Sequence, residues 1–345
     1  MKSLRILLSG FGNVGRAFTR RILDREKELL KRYNTALVVV GIVDSKGAAV
    51  NVQGFSNKEL FELLNMPRGH VSDMRYYGRP NMTTVDVLND VDVDVLVEVT
   101  PSNYETGNPG LKNVLTAINK GVHVVLANKA PLALKFGYIM DIARSKGVMV
   151  GYKATVMAGT PLIDMLQYGL VAQHVKSIEG ILNASTNYIL TVMHKEGITL
   201  KEAICKAMKL GILEPDYVLD VDGWDPAAKL VIIVNTILKS SYSIRDVVRK
   251  SLREIKISDI EEAKRRGEVV KYLAIARIRN REAKLIIKPQ SLPQKHSLAK
   301  VNGTYNGILI KTDINDIFVS GKGAGPIETA SVMISDLVKL AEMYM

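Results

Sequence analysis

Leu4-Arg5-Ile6-Leu7-Leu8-Ser9-Gly10-Phe11-Gly12-Asn13-Val14-Gly15 decides the fold of this 345-residue chain. Leu4 to Ser9 is almost wholly apolar, as a strand buried on both faces of a parallel sheet should be. The glycine-rich turn then leads into a helical pattern. Val14, Phe18, Ile22, Leu29 and Tyr33 recur near the helical period, with arginines and lysines between them. A second apolar run, Ala36 to Val43, ends in Asp44. Strand, glycine turn, helix and strand make a βαβ unit, right-handed by general rule. A Gly-x-Gly-x-x-Gly in that setting reads as a dinucleotide-binding turn. Gly10 permits the tight turn, Gly12 lets the backbone approach a pyrophosphate, and Gly15 allows close helix–sheet packing. Asn13 and Val14 open the helix whose unpaired N–H groups favour the phosphates.

The alternation continues. Val93 to Val99, Val122 to Ala127 and Val148 to Tyr152 read as strands, and Leu111 to Asn119 and Leu134 to Lys146 as helices. This predicts an α/β protein with a Rossmann-type, doubly wound parallel sheet. Residues 48–80 read as polar and irregular. Beyond Gly159-Thr160-Pro161 the pattern changes to α+β. A strand is expected over His174 to Asn183, and helices over Thr186 to Lys195, Thr199 to Leu210 and Asp225 to Leu238. Further helix is expected to about Gly267. A hairpin is expected about Asn280-Arg281, then strands over Thr304 to Thr312 and Ile317 to Ser320, and a last helix.

Composition excludes several classes. No apolar run approaches the roughly 18 residues of a membrane span, and nothing resembles a signal peptide. Cys205 stands alone, so no intrachain disulfide forms, and a cytoplasmic location is expected. The net charge of +12 is dispersed, and no helix-turn-helix, zinc-finger or aromatic RNA-binding pattern accompanies it, so no nucleic-acid partner is expected.

An acid at the end of the second strand ordinarily accepts hydrogen bonds from ribose hydroxyls and repels a 2′-phosphate. Asp44 stands there, 29 residues past Gly15, yet Lys46 follows it, so NAD and NADP both stay open. Thr100, Asn128 and Lys129 lie at the carboxyl ends of two further strands, where ligands of such sheets bind. Asp225-Pro226 reads as a helix start, with Asp225 as N-cap. Lys229, four residues on, then projects to the same side. A cation at a helix N-terminus is electrostatically disfavoured, which suits a group that must give up a proton.

With these residues the chain resembles the homoserine dehydrogenases. The likeness runs through Ala127-Asn128-Lys129, Ala154-Thr155-Val156, Asn187-Tyr188-Ile189-Leu190, Glu214-Pro215-Asp216, Asp220 to Lys229, and Gly323-Ala324-Gly325 with Thr329-Ala330. It implies reversible oxidation of L-homoserine to L-aspartate 4-semialdehyde with NAD or NADP, in threonine, methionine and isoleucine biosynthesis. It also implies a homodimer. By position, Lys229 resembles the proton donor and Lys129 its partner. Glu214 and Asp225 resemble the acids that hold the substrate ammonium, and Asp220 a further acid at the reacting group. Thr100, Lys129, Gly211 and Gly323 match nucleotide-contacting positions. Gly323 implies a return to the first domain, giving a dinucleotide domain over 1–155 and 322–345. The substrate and dimerisation domain then spans 156–321, with Thr304 to Ser320 as interface candidates.

Two departures stand out. The resemblance implies a monovalent cation held by Val156, Ala158 and Thr160 with a glutamate. Lys153 replaces that glutamate, putting a cation where a cation ligand belongs. In Asn183-Ala184-Ser185-Thr186-Asn187 the family commonly has Gly and Thr at the middle positions. A thioester-forming aldehyde dehydrogenase, the rival enzyme, needs a nucleophilic cysteine. Cys205 instead falls in an amphipathic helix with apolar Ala203, Ile204, Ala207 and Met208, where a small buried role is expected. A non-catalytic redox sensor rests on the basic charge alone.

Overall fold

The structure is a computed structural model and describes residues 2–214 and 216–344. The chain divides into two compact units. The first comprises Met1–Pro131, Tyr138–Thr155 and Gly325–Met345, and the second Leu132–Gly137 and Val156–Ala324.

In the first unit the expected alternation folds as β1 (Lys2–Ser9), α1 (Asn13–Tyr33), β2 (Thr35–Val43), β3 (Gly47–Val50), α2 (Asn57–Asn65), β4 (Gly78–Pro80), α3 (Thr84–Asp90), β5 (Val95–Glu98), α4 (Gly110–Asn119), β6 (His123–Leu126), α5 (Ala130–Lys146) and β7 (Val150–Gly151). The sheet order is β4-β3-β2-β1-β5-β6-β7. Strands β2, β1, β5, β6 and β7 pair in parallel, and β3 and β4 add an antiparallel edge. Period-two alternation sends Leu4, Ile6 and Leu8 into one core with Phe18 and Ile22 of α1, while Leu7 lies on the other side near Val87 of α3. Both faces are thus covered, which is why β1 reads as a continuous apolar run.

The segment expected to be irregular is ordered. β3 and β4 lie in it, and α2 is closed by a capping box between Ser56 and Glu59. Its short strands carry too few residues for alternation to show. Helix α5 is kinked at Lys135 (φ −141°, ψ 35°), and residues 132–137 cluster with the second unit.

The second unit contains α6 (Leu162–Asp164), β8 (Val175–Ile181), α7 (Ala184–Glu196), α8 (Leu200–Lys209), α9 (Val218–Val221), α10 (Trp224–Leu238), β9 (Val247–Arg249), α11 (Ile257–Arg265), β10 (Glu268–Arg279), β11 (Glu282–Pro293), β12 (Tyr305–Thr312) and β13 (Asp316–Lys322). Its sheet order is β13-β12-β8-β10-β11-β9. The hairpin turns at Asn280 and Arg281, both with positive φ (52° and 66°), the twist a two-residue connection favours. Helix α10 buries Pro226 to Thr236 continuously against this sheet. Helix α10 ends at Leu238, as expected, where Lys239 takes a left-handed φ of 52°, and of the further helix expected to about Gly267 the α-helical part is α11. A strand, β9, intervenes before α11. Because β13 runs to Lys322, residues 322–324 stay with the second unit, and the return begins at Gly325 with α12 (Pro326–Tyr344). Met333, Leu337, Leu340 and Ala341 of α12 join the core of the first unit. Each such large apolar side chain contributes about 1.5–3 kcal/mol by leaving water.

Cys205 corrects an expectation: it is exposed. Two residues from buried Ala203 and two from buried Ala207, it stands some 200° round the helix from each, on the solvent side. Met208, assigned to the apolar face, is 37% exposed.

Candidate functional site

Gly10 holds φ at +102°, and a Cβ there would lie 2.9 Å from the Thr100 nitrogen. At Gly15 a Cβ would meet the Gly10 oxygen at 2.2 Å, so α1 can approach the strand only with glycine there. Gly12 faces open space. Helix α1 begins with no side-chain cap and no acid in its first turn, so its first N–H groups point to whatever lies in front of them. In front lies a cleft of about 670 Å³, lined by Gly10, Gly12, Asn13, Val14, Asp44, Lys46 and Thr100 together with Arg68. Gly15 is buried behind it. Its shape and donors fit a dinucleotide: open main chain at the helix end and a carboxyl-end position in the sheet.

Asp44 does not simply point into the cleft. One carboxylate oxygen accepts the Lys46 N–H at 2.9 Å and the other the Val71 N–H at 3.1 Å. Lys46 and Arg68 are both exposed and both line the cleft. The Arg68 guanidinium donates to the Asn13 side-chain oxygen. Arg16 turns elsewhere and donates to the Leu64 and Met66 carbonyls (2.7 and 2.8 Å), closing the C-terminal end of α2.

Sequence reasoning missed Glu98. Fully buried at the carboxyl end of β5, it accepts the Thr100 N–H (2.9 Å) and the Thr100 hydroxyl with one oxygen. Its other oxygen accepts the Asn113 amide at 2.9 Å. Asn128 donates to the Thr100 hydroxyl (3.1 Å) and accepts from Ser102 (2.9 Å), and Ser102 accepts the Lys129 N–H at 3.2 Å. Thr100, Asn128 and Lys129 thus sit in one hydrogen-bonded rim, with Lys129 half-buried at the start of α5. The available signal was an acid closing the apolar run Val95-Leu96-Val97-Glu98.

In the second unit, Lys229 is 7% exposed. Its ammonium donates to the Leu182 carbonyl and to Asp225 Oδ2, both at 2.7 Å. The Asn183 amide nitrogen donates to Asp220 at 2.6 Å and to Asp225 at 3.0 Å, so one group draws both carboxylates together beside the lysine. Asn183 also caps α7 by accepting the Thr186 N–H at 2.9 Å. Its dual part was not foreseen, although an Asn before a helical run is an N-cap signal. The reading of Asp225 as an N-cap is corrected. The N-cap lies two residues earlier, at Gly223 with φ 78°, and makes no side-chain cap, so the Asp225 carboxylate is directed to Lys229 and Asn183.

The remaining predicted residues scatter. Glu214 is exposed and makes no hydrogen bond or ion pair among the described residues; its neighbour Pro215, in the matched Glu-Pro-Asp, lies outside them. Gly211, at φ 68°, ends α8. Gly323 lies just past β13. In the proposed cation loop, Met157 and Ala158 have positive φ, and the Thr160 oxygen already accepts the Leu162 N–H at 2.7 Å. The missing glutamate leaves this donor set short of a charge, and the chemistry proposed for the site uses no cation. Among the described residues, no cluster of three or more His, Cys, Asp or Glu is placed to hold a metal. Lys153 is 11% exposed and ion-pairs at 3.6 Å with Asp336 of α12, which also accepts the Lys153 N–H at 3.1 Å.

Comparison with known proteins agrees across the chain. Residues 161–338 match the family model "Homoserine dehydrogenase", and residues 10–153 match "Homoserine dehydrogenase, NAD binding domain". The homoserine dehydrogenase of Methanocaldococcus jannaschii is 38% identical over 97% of this chain and 98% of its own length. The NAD(+)-dependent homoserine dehydrogenase of Pseudomonas canavaninivorans is 31% identical over 99% and 97%. Among solved structures, a putative homoserine dehydrogenase from Archaeoglobus fulgidus superposes with a TM-score of 0.85 at 31% identity, covering 98% and 99% of the two chains. A hyperthermophilic archaeal homoserine dehydrogenase in complex with NADPH gives 0.84 at 29% identity, covering 99% of each.

Proposed function

The chain belongs to the homoserine dehydrogenase family, and from that premise we propose that it interconverts L-homoserine and L-aspartate 4-semialdehyde using NAD or NADP. The dinucleotide, when bound, accepts the hydride from the hydroxyl-bearing carbon or returns it to the aldehyde carbon. The chain's own residues bind, orient and move the proton.

Lys229 carries the reading. An ammonium has three N–H donors, and two are spent on Leu182 and Asp225, leaving one for the substrate oxygen. In the reducing direction that N–H delivers the proton to the oxygen as it gains charge; in the oxidising direction the amine takes the hydroxyl proton. Asp225 first steadies the lysine. Asp220, held beside it through Asn183, offers a carboxylate near the reacting group, and Glu214 an exposed one for the substrate ammonium. For Lys129 the family likeness supports a part in polarising the substrate.

At the nucleotide end the geometry favours NADP. Two backbone N–H groups hold the Asp44 carboxylate, whose charge still opposes a 2′-phosphate, but Lys46 and Arg68 offer two exposed cations against that one anion. Homoserine-dependent reduction of NADP and NAD, measured separately, tests both parts. Reduction of neither removes the reaction, and preference for NAD removes the cofactor assignment.

None of the described helices is long and apolar enough to cross a membrane, and we propose a cytoplasmic enzyme acting on a small amino acid without a nucleic-acid partner. The exposed Tyr305, Ile314 and Phe318 (49%, 69% and 42%) support a homodimer through β12 and β13, which sedimentation equilibrium checks.

A further inference from the structure

The end of the second sheet where Lys229 is anchored also holds an unexplained side chain. β8 ends at Ile181, which pairs with Gly307, so Leu182, whose carbonyl holds Lys229, is level with Asn306. Asn306 in turn pairs with Gly321, and the chain runs on through Lys322 to Gly323 and Ala324. Asn306 has no exposed surface (0%), and among the described residues neither its Oδ1 nor its Nδ2 has a hydrogen-bond partner. The carboxamide lies flat on Gly323: a Cβ there would sit 2.0 Å from Cγ and 2.2 Å from both Oδ1 and Nδ2.

An amide buried with nothing to bond costs about 1–3 kcal/mol, whereas an apolar group of the same shape is neutral or stabilising. Leucine has nearly that shape, so the packing alone favours it. A buried polar group at such a cost calls for an explanation, and a second state in which it is satisfied supplies one.

We propose that Asn306 is a positioning residue and that Gly321–Ala324 is a strap. When the amino-acid substrate occupies the Lys229 site, the strap shifts and its main-chain N–H and C=O groups pair with the Asn306 carboxamide. One donor group and one acceptor are the complement of a peptide unit. The glycines at 321 and 323 leave the main chain bare enough to be reached; at Gly321 a Cβ would strike Thr160 Oγ1 at 2.4 Å. This inference rests on the homoserine dehydrogenase reading.

The test is Asn306→Leu, with Asn306→Ala carrying the same measurements if the larger variant does not fold. Amide hydrogen exchange over residues 321–324 is followed in the free protein and with homoserine plus NADPH, a pair that cannot turn over. The wild type is expected to slow there about tenfold, the equivalent of one net hydrogen bond. The variant is expected to show no slowing, to raise the KM for homoserine about tenfold with kcat within about threefold, and to melt at or above the wild-type temperature. A variant that melts lower yet keeps the wild-type KM and exchange pattern makes Asn306 an ordinary structural amide and overturns the proposal. Turnover without slowing in the wild type also overturns it and leaves the enzyme reading intact. Absence of any homoserine-dependent reduction removes the reading beneath it.

Discussion

Removing the Lys46 ammonium should weaken the enzyme for NADP and spare it for NAD, and removing the Arg68 guanidinium should weaken NADP the more of the two. A 2′-phosphate carries about −1.5 to −2 charges at neutral pH. At roughly 4 Å in a water-like medium each unit pair is worth about 1 kcal/mol, so one exposed cation supplies about 2 kcal/mol, or about thirtyfold. Both side chains are exposed, and solvent screening brings the expected loss for either alanine variant nearer tenfold. The assay is kcat/KM for NADP and for NAD at saturating homoserine, repeated at about 1 M salt, where the Debye length of about 3 Å should erase much of the difference. Arg68 also bonds the Asn13 side chain, so its loss can disturb both cofactors through the turn. Lys46 is the cleaner probe, because its ammonium makes no bond among the described residues. A Lys46→Ala enzyme that loses NADP and NAD activity equally, or a wild type that favours NAD, refutes the reasoning.

Lys229→Met keeps the stem and removes the proton, so turnover should fall about a hundredfold or more while the first unit's nucleotide affinity, read by fluorescence titration, holds; near-normal turnover removes Lys229 from the mechanism. Lys153→Met removes the 3.6 Å ion pair to buried Asp336 (1% exposed) and should lower the denaturant midpoint, and Lys153→Glu, which sets two carboxylates together, should lower it further. Either variant matching the wild-type midpoint shows the pair to be dispensable. His194 accepts the Val270 N–H at 2.8 Å, and burial together with nearby Lys264 and Lys271 pushes its pKa down to about 4. Its neutral form therefore supports the fold fully above the unfolded value of about 6.5, and up to about 3 kcal/mol is lost as pH falls toward 4. His194→Gln should flatten that part of the stability–pH curve, and an unchanged slope assigns it to other groups.

The parallel core was legible because both of its faces are buried, and such strands announce themselves as unbroken apolar runs. The edge strands β3 and β4 were not, since Gly47–Val50 and Gly78–Pro80 are too short for any periodicity. The capping box Ser56–Glu59 stands in the sequence, but no long apolar stripe follows it to mark a helix. In the second unit the buried run after Asp225 marked its helix, yet the start lies elsewhere than the Asp-Pro pair suggests: a left-handed glycine, Gly223, can end the preceding turn without a polar cap. The glycine turn and Lys229 were found from residue type and spacing. Glu98, Asn183 and Arg68 were not, because each acts through partners separated in the chain: Asn113, Asp220 with Asp225, and Asn13.

Helix α12 supplies Met333, Leu337, Leu340 and Ala341 to a core otherwise drawn from residues before Val156. During synthesis the first unit is therefore begun first and finished last, since its closing helix leaves the ribosome only after the whole of the second unit. A nascent chain stalled before Gly325 should carry a protease-resistant second unit beside a nucleotide-binding half that is still soft. That order of maturation is written into the connectivity alone.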